Sequence, residues 1–296
     1  MTEVSGQLAG RVAVVTGAGA GLGRAEALAL AAAGADLVVN DVSPSARSLV
    51  DEIVELGAKA VLVQGDIGDS SVAAELLRTA VDGFGRLDIV VNNAGVLRDR
   101  MLFSMSDDDW DLVLRVHLRG HFLLSRNAAA YWRDTAKASG TPVYARLINT
   151  ASEAWLFGSP GQANYAAAKA GIAALTVSAA RGLHRYGVRA NVICPRARTA
   201  MTADVFGPAP DDEAPDPLSV GHVAPFVAFL AGPAAESING QVFIVHSGTV
   251  ALLAPPTVAH QFTSPEPDWT AETLAQSVGA HFAGHQPDDV FAVTPA

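Results

Sequence analysis

Val12-Ala13-Val14-Val15-Thr16-Gly17-Ala18-Gly19-Ala20-Gly21-Leu22-Gly23 is the stretch from which the fold can be read. Its unbroken apolar run, Val12 to Val15, fits a strand covered on both faces. The glycines turn the chain into an alanine-rich helix, predicted over Gly23 to Ala33 and stopped by Gly34. The same unit then recurs. Leu37-Val38-Val39, ending at Asn40-Asp41, reads as the second strand and Ser45 to Leu56 as the next helix. Ala60 to Val63, a helix at Ser71 to Phe84 and Leu87 to Val91 continue the alternation. A long helix over Trp110 to Thr135 leads to a strand at Ala145 to Asn149. A second long helix, Asn164 to His184, leads to Ala190 to Ile193. Helix His222 to Leu230 and strand Val242 to Val245 complete the rhythm. Strands alternating with helices predict an α/β fold, a single doubly wound parallel sheet with right-handed crossovers.

Two stretches break the pattern. Gly207 to Pro217 carries four prolines and four acids, so it reads either as a solvated loop or as part of a lid. From Pro255 onward the chain is proline-punctuated, with a helix predicted around Thr270 to Phe282. Residues 1–254 are therefore expected to form the main domain. Residues 255–296 are expected to form an extension packed on it or on a neighbouring subunit.

The chain has 296 residues, half of them apolar, which is enough for a core without disulfides or metal staples. Twenty basic against thirty acidic residues give a net charge of −10, a field that disfavours nucleic acid and anionic membranes as partners. The single cysteine, Cys194, excludes an internal disulfide framework. The N-terminal sequence has neither the basic start nor the apolar run of a signal peptide, and no apolar stretch approaches a membrane span. A cytoplasmic location is the expectation.

The glycines of 17–23 stand where a dinucleotide pyrophosphate needs a tight turn, close backbone approach and helix packing. Asp41, at the end of the second strand, can accept both hydroxyls of an adenosine ribose and would repel a 2′-phosphate. It argues for NAD over NADP, although Arg24 and Arg47 are near enough to keep NADP open. Tyr165 and Lys169, four apart, share one helix face, and a lysine ammonium beside a phenol favours its phenolate. Ser152 stands thirteen residues before Tyr165, just past the fifth strand. His117 with His121, and His281 with His285, have i,i+4 spacing but lack the acid of a metal hydrolase motif, so no metal is expected. Trp155 and Phe157 read as core packing or as a substrate wall.

Taken together, the glycine turn, Asn92-Asn93-Ala94-Gly95, Ser152, Tyr165 and Lys169 resemble the short-chain dehydrogenase/reductase family over residues 8–250. Val38-Val39-Asn40-Asp41-Val42, Val116-His117-Leu118-Arg119-Gly120 and Gly161-Gln162-Ala163-Asn164-Tyr165 look most like one branch. That branch holds the 3-hydroxyacyl-CoA and 17β-hydroxysteroid dehydrogenase domain of peroxisomal multifunctional enzymes, with bacterial single-domain relatives. The resemblance implies an NAD-dependent oxidoreductase that interconverts a secondary alcohol and a ketone, with a bulky or lipid-like substrate. It assigns Tyr165 as the base, Lys169 to the phenol and the nicotinamide ribose, and Ser152 to the substrate oxygen.

The resemblance further implies that Gly17, Gly19, Gly21, Leu22, Gly23, Asp41, Asn93, Ala94 and Gly95 hold the cofactor. Asp66 and Ile67 would meet the adenine, Pro195 would follow the sixth strand, and Thr199 would bond the carboxamide. His117 replaces the family's usual asparagine and reads either as a member of a proton relay or as structural. Arg196 replaces a glycine and is read as facing solvent or, alternatively, clamping an anionic substrate. The alternatives are an NADPH-dependent 3-ketoacyl reductase and a catalytically silent cofactor sensor on the same fold. A homotetramer, or a homodimer, paired through the two long helices is also implied.

Overall fold

Strand residues alternate sides, so an all-apolar run such as Val12–Thr16 (β1) needs cover on both faces. Both faces are covered in the computed structural model, which describes residues 6–202, 206–210, 216–264, 267–286 and 289–291. Ala13 and Val15 enter one core layer with Leu30, Leu37, Ile53 and Val227. Val12 and Val14 enter the other with Leu76, Val90, Leu124 and Trp132. The chain divides into two units, residues 1–253 and 254–296.

In the first unit the remaining strands are β2 (Asp36–Asp41), β3 (Ala60–Gln64), β4 (Ile89–Asn92), β5 (Ala145–Thr150), β6 (Val188–Pro195), β7 (Val242–His246) and β8 (Thr249–Leu252). They form one sheet in the order β3-β2-β1-β4-β5-β6-β7-β8. Every pair is parallel except β7–β8; Val14 aligns with Val38 and Val90, and Asn92 with Asn149. This is the doubly wound α/β sheet expected from the sequence. The antiparallel β8 lies outside the expected alternation: it is a short edge strand, joined to β7 by a tight turn with no helix between, and its side chains are largely exposed.

The helices are α1 (Gly21–Ala32), α2 (Arg47–Glu55), α3 (Ser70–Phe84), α4 (Asp107–Leu114), α5 (Gly120–Ser139), α6 (Ala154–Phe157), α7 (Ala163–Leu183) and α8 (Ala224–Ala231). The helix expected over Trp110 to Thr135 starts earlier, at a capping box in which Ser106 and Asp109 bond each other's backbone. It is also interrupted by a π turn at Arg115–Arg119 between α4 and α5. In the second unit the helix expected near Thr270 to Phe282 is found, likewise broken by a π turn at Ala275–Gly279. Residues 211–215 of the segment read as a lid lie outside the described residues. Beside it, Arg198 donates to Phe206 O at 2.6 Å and to Asp216 Oδ2 at 2.9 Å.

Candidate active site

At the C-terminal ends of β1, β4, β5 and β6 the helices part, and a cleft of about 300 Å³ opens. Gly17 forms its floor at φ +64°, and a Cβ there would lie 2.7 Å from Ala94 Cα. Gly23 packs against Gly17 O and Asn93, where a side chain would clash outright. Asn93 explains the tightness: its Nδ2 donates to Thr16 O at 3.1 Å and Gly17 O at 3.2 Å. Gly17, Gly21, Leu22, Asp41, Asn93, Ala94 and Gly95 all line the cleft, as do His117, Tyr165, Lys169, Pro195 and Thr199.

Asp41 is held by backbone donors: Gly19 N at 2.8 Å to Oδ2 and Ser43 N at 2.9 Å to Oδ1. Gly19 is thus a support for Asp41. Arg24, one of the two cations near enough for a 2′-phosphate, is paired instead with Glu52. Asp66 and Ile67 stand off the cleft lining. Asp66 accepts from Arg115 Nη2 at 2.6 Å and Gly68 N at 2.8 Å, while buried Ile67 packs against Gly120.

Lys169 reaches the cleft from α7 with only 2% of its surface exposed. Its Nζ donates to Thr150 O at 2.6 Å and lies 5.3 Å from the Tyr165 ring centroid. Burial drives the lysine down to about 7, a trend opposed by Cys194 and the Glu26 carboxylate. Burial pushes the Tyr165 phenol up to about 12, opposed by a hydrogen bond with Ser152. The phenol ring is enclosed, and Lys169 Nζ lies over its face. Ser152 itself accepts from Ala154 N at 3.2 Å.

His117 is buried, with Nε2 2.8 Å from Val96 O and 3.0 Å from Val96 N. Its ring meets that of Tyr165 edge-on at 5.1 Å between centroids, and it closes on Gly95, where a Cβ would clash. Burial first, then Lys169, holds this imidazole well below its usual range. His121, one turn on, is buried and pushed down to about 3 for the same two reasons.

Several functional-looking groups escaped the sequence reading. Ala20, Thr150, Ala151, Ala197 and Met201 also line the cleft, and small residues at strand ends carry no signal of their own. Glu26, inside α1, is fully buried with neither carboxylate oxygen hydrogen-bonded among the described residues, and burial raises it to about 8. Arg196 neither faces solvent alone nor waits for an anionic ligand: it forms a two-point ion pair with Glu153. Trp155 and Phe157 lie off the cleft lining. Among the described residues, no group of three or more His, Cys, Asp or Glu is placed to hold a metal ion. No helix among them is long and apolar enough to cross a membrane.

Comparisons with known proteins agree with this geometry. The family model described as short chain dehydrogenase matches residues 11–208. The chain is 62% identical to the hydroxyacyl-CoA dehydrogenase ChsB1 of Mycobacterium tuberculosis, covering 97% of this chain and 93% of that one. It is 42% identical to the mouse peroxisomal multifunctional enzyme type 2 over 82% of its length, which spans 32% of that longer protein. A 3-oxoacyl-[acyl-carrier-protein] reductase of Synechocystis is 39% identical, with 82% of this chain and 98% of that one covered. The crystal structure of a short chain dehydrogenase from Mycobacterium avium superposes with a TM-score of 0.85 at 41% identity, covering 98% of both chains. The chain belongs to the short-chain dehydrogenase family: it is an oxidoreductase of CH–OH groups that uses NAD(P).

Proposed function

We propose that this chain interconverts a secondary alcohol and a ketone with NAD, the substrate being a 3-hydroxyacyl thioester of coenzyme A. The meeting of Tyr165 and Lys169 with a glycine floor and the Asp41 carboxylate at one cleft carries the reading. The cradle fits a dinucleotide, because Gly17 and Gly21 have positive φ and leave bare backbone where side chains would otherwise stand. When bound, the dinucleotide supplies the acceptor for the carbinol hydride. Tyr165 takes the hydroxyl proton at its phenolic oxygen. Ser152 bonds the substrate oxygen and, with Lys169, favours the phenolate against burial. Asp41, oriented by Gly19 N and Ser43 N, holds the adenosine ribose. The apolar Ala197, Ala200 and Met201 on the same cleft suit an acyl chain.

The thioester is favoured by the Mycobacterium tuberculosis relative, which is a hydroxyacyl-CoA dehydrogenase. The Synechocystis relative favours a second reading, an NADPH-dependent 3-ketoacyl reductase; Asp41 and the Arg24–Glu52 pair weigh against it. The test is nicotinamide reduction by purified protein with NAD and with NADP. The substrates would be 3-hydroxyacyl-CoAs, hydroxysteroids and small secondary alcohols. Turnover of the thioesters with NAD, abolished in Tyr165→Phe, is the expected result. Preference for NADP, or for a steroid, would overturn the corresponding half of the reading. Silence on every alcohol despite NAD binding would leave the cofactor sensor. Asp41→Ala should raise NADP use relative to NAD more than tenfold.

The proposed assembly is a homotetramer paired through the long helices. Leu114, Leu118 and Phe122, with Arg115 and Arg119, line an open hollow along the first of these, and Phe122 is 40% exposed. A monomer by light scattering would reject it.

A further inference from the structure

Ser152 and Pro195 leave neighbouring strands at the same height. Thr150 of β5 aligns with Ile193 of β6, and Ala151 N donates to Ile193 O at 2.7 Å. Beyond that bond the two chains separate, each carrying one wall of the cleft. The next residues along, Glu153 and Arg196, tie them together again. Arg196 Nη2 donates to Glu153 Oε1 at 2.7 Å, and its Nε donates to Oε2. The Glu153 side chain is 9% exposed and that of Arg196 31%, so this is a largely enclosed, two-point pair and not a surface contact.

Each partner is anchored from behind. Arg196 N donates to Val245 O of β7 at 3.0 Å, so the guanidinium is carried on the sheet. Glu153 O accepts from Leu156 N at 2.8 Å and Phe157 N at 3.0 Å, which starts the single turn of α6. Ser152 is thus fixed on one side by the last ladder bond and on the other by a helical turn whose N-cap residue, Glu153, is gripped through its carboxylate. Among the described residues no other hydrogen bond holds the Glu153 carboxylate, so the enclosed acid depends on Arg196.

We propose that Glu153 and Arg196 are positioning residues: their ion pair latches the wall carrying Ser152 to the wall carrying Pro195 and Thr199. In doing so it sets where the serine hydroxyl meets the substrate oxygen. The inference rests on the dehydrogenase reading for its kinetic consequence, but not for the latch itself. A hydroxyl that stabilises developing charge must be placed within about 0.5 Å, and a misplacement of about 1 Å can cost about a hundredfold in rate. A one-turn helix cannot hold that position unaided, since its few backbone bonds fray readily.

The test compares wild type with Glu153→Gln, Arg196→Met, the double variant and the conservative Arg196→Lys. Two measurements are made: amide hydrogen exchange over residues 151–157, and kcat and KM per folded molecule. The latch predicts at least tenfold faster exchange over 151–157 in Arg196→Met, and a kcat at least tenfold lower. KM for NAD should stay within twofold, and Arg196→Lys should recover part of both losses. The double variant should be no worse than Arg196→Met, because both break one interaction. Unchanged exchange over 151–157 would overturn the latch; so would faster exchange with unchanged kcat, which would make the pair merely structural. If wild type oxidises no alcohol, the dehydrogenase reading fails while exchange still decides the latch. Should Arg196→Met not fold, Glu153→Gln and Arg196→Lys carry the same comparison.

Discussion

The two ends of the sheet handle polar groups in opposite ways. At the N-terminal end buried Asp88 is saturated: it accepts from Val12 N at 2.9 Å, from Arg86 twice at 2.7 Å, and from Arg11 at 3.3 Å. Tyr144 lies between the guanidiniums of Arg11 and Arg146, at 3.9 and 4.0 Å from its centroid. Arg146, 1% exposed, also donates to Glu236 at 2.6 Å, and one atom there, its Nε, lacks a partner among the described residues. At the C-terminal end Asn92 Oδ1, Thr150 Oγ1, His117 Nδ1 and His121 Nε2 are all buried without a hydrogen-bond partner among the described residues. Lys169 and two histidines are there pushed toward neutrality by burial. One end spends its charges on holding strands together; the other keeps polar groups undercommitted, as a site that must bind and move protons requires.

The largest expected effect sharpens this contrast. Tyr165→Phe should lower kcat about 10²–10⁴-fold while leaving the thermal midpoint within a degree or two of wild type. Retained turnover would break the assignment of chemistry to the C-terminal end. Next, Asp88→Ala should cost about 3–5 kcal/mol of stability, because it strands Arg86 and the Val12 N–H. Activity per folded molecule should stay within twofold. A denaturant titration paired with the dehydrogenase assay checks both, and a selective loss of kcat would collapse the distinction.

The smallest effect, with the opposite sign, concerns Glu26. Its folded-state pKa, raised to about 8 from 4.5, makes the folded protein bind the extra proton. The stability this gives is full below pH 4.5 and is lost as pH rises through about 8. Glu26→Met should therefore gain on wild type with rising pH, reaching about 1–4 kcal/mol near and above pH 8. Denaturation midpoints at several pH values would show it. A pH-independent difference would mean that Glu26 is not protonated in the fold.

Much of this was legible in local spacing. The apolar run at 12–15, the glycines of 17–23 and the thirteen residues from Ser152 to Tyr165 announce the fold and the cleft because each works through near neighbours in sequence. Glu153 and Arg196 are 43 residues apart, and nothing in either local segment names the other. Arg196 could only be read as exposed or ligand-binding, the two options open to a lone arginine. The enclosure of Tyr165 is hidden for a related reason: an i,i+4 lysine fixes proximity, but enclosure depends on the whole cleft. Glu26 gives no local signal of its burial, since α1 has no clear apolar stripe to show which face is buried.

The π turn at Arg115–Arg119 has a consequence for how this chain tolerates insertions and deletions. Such a turn holds one residue more than the helix around it needs, and each residue of an α-helix advances the chain by about 100°. Deleting any one of the five would let Asp107 to Ser139 run as a single regular helix. The capped Asp107–Leu114 segment and Gly120–Ser139 would keep their relative phase, because the wide turn absorbs its extra residue locally. What would go is the bulge in which His117 meets both Gly95 and Tyr165. The surplus residue is a local insertion that the two rods do not feel, and the contacts of His117 depend on it.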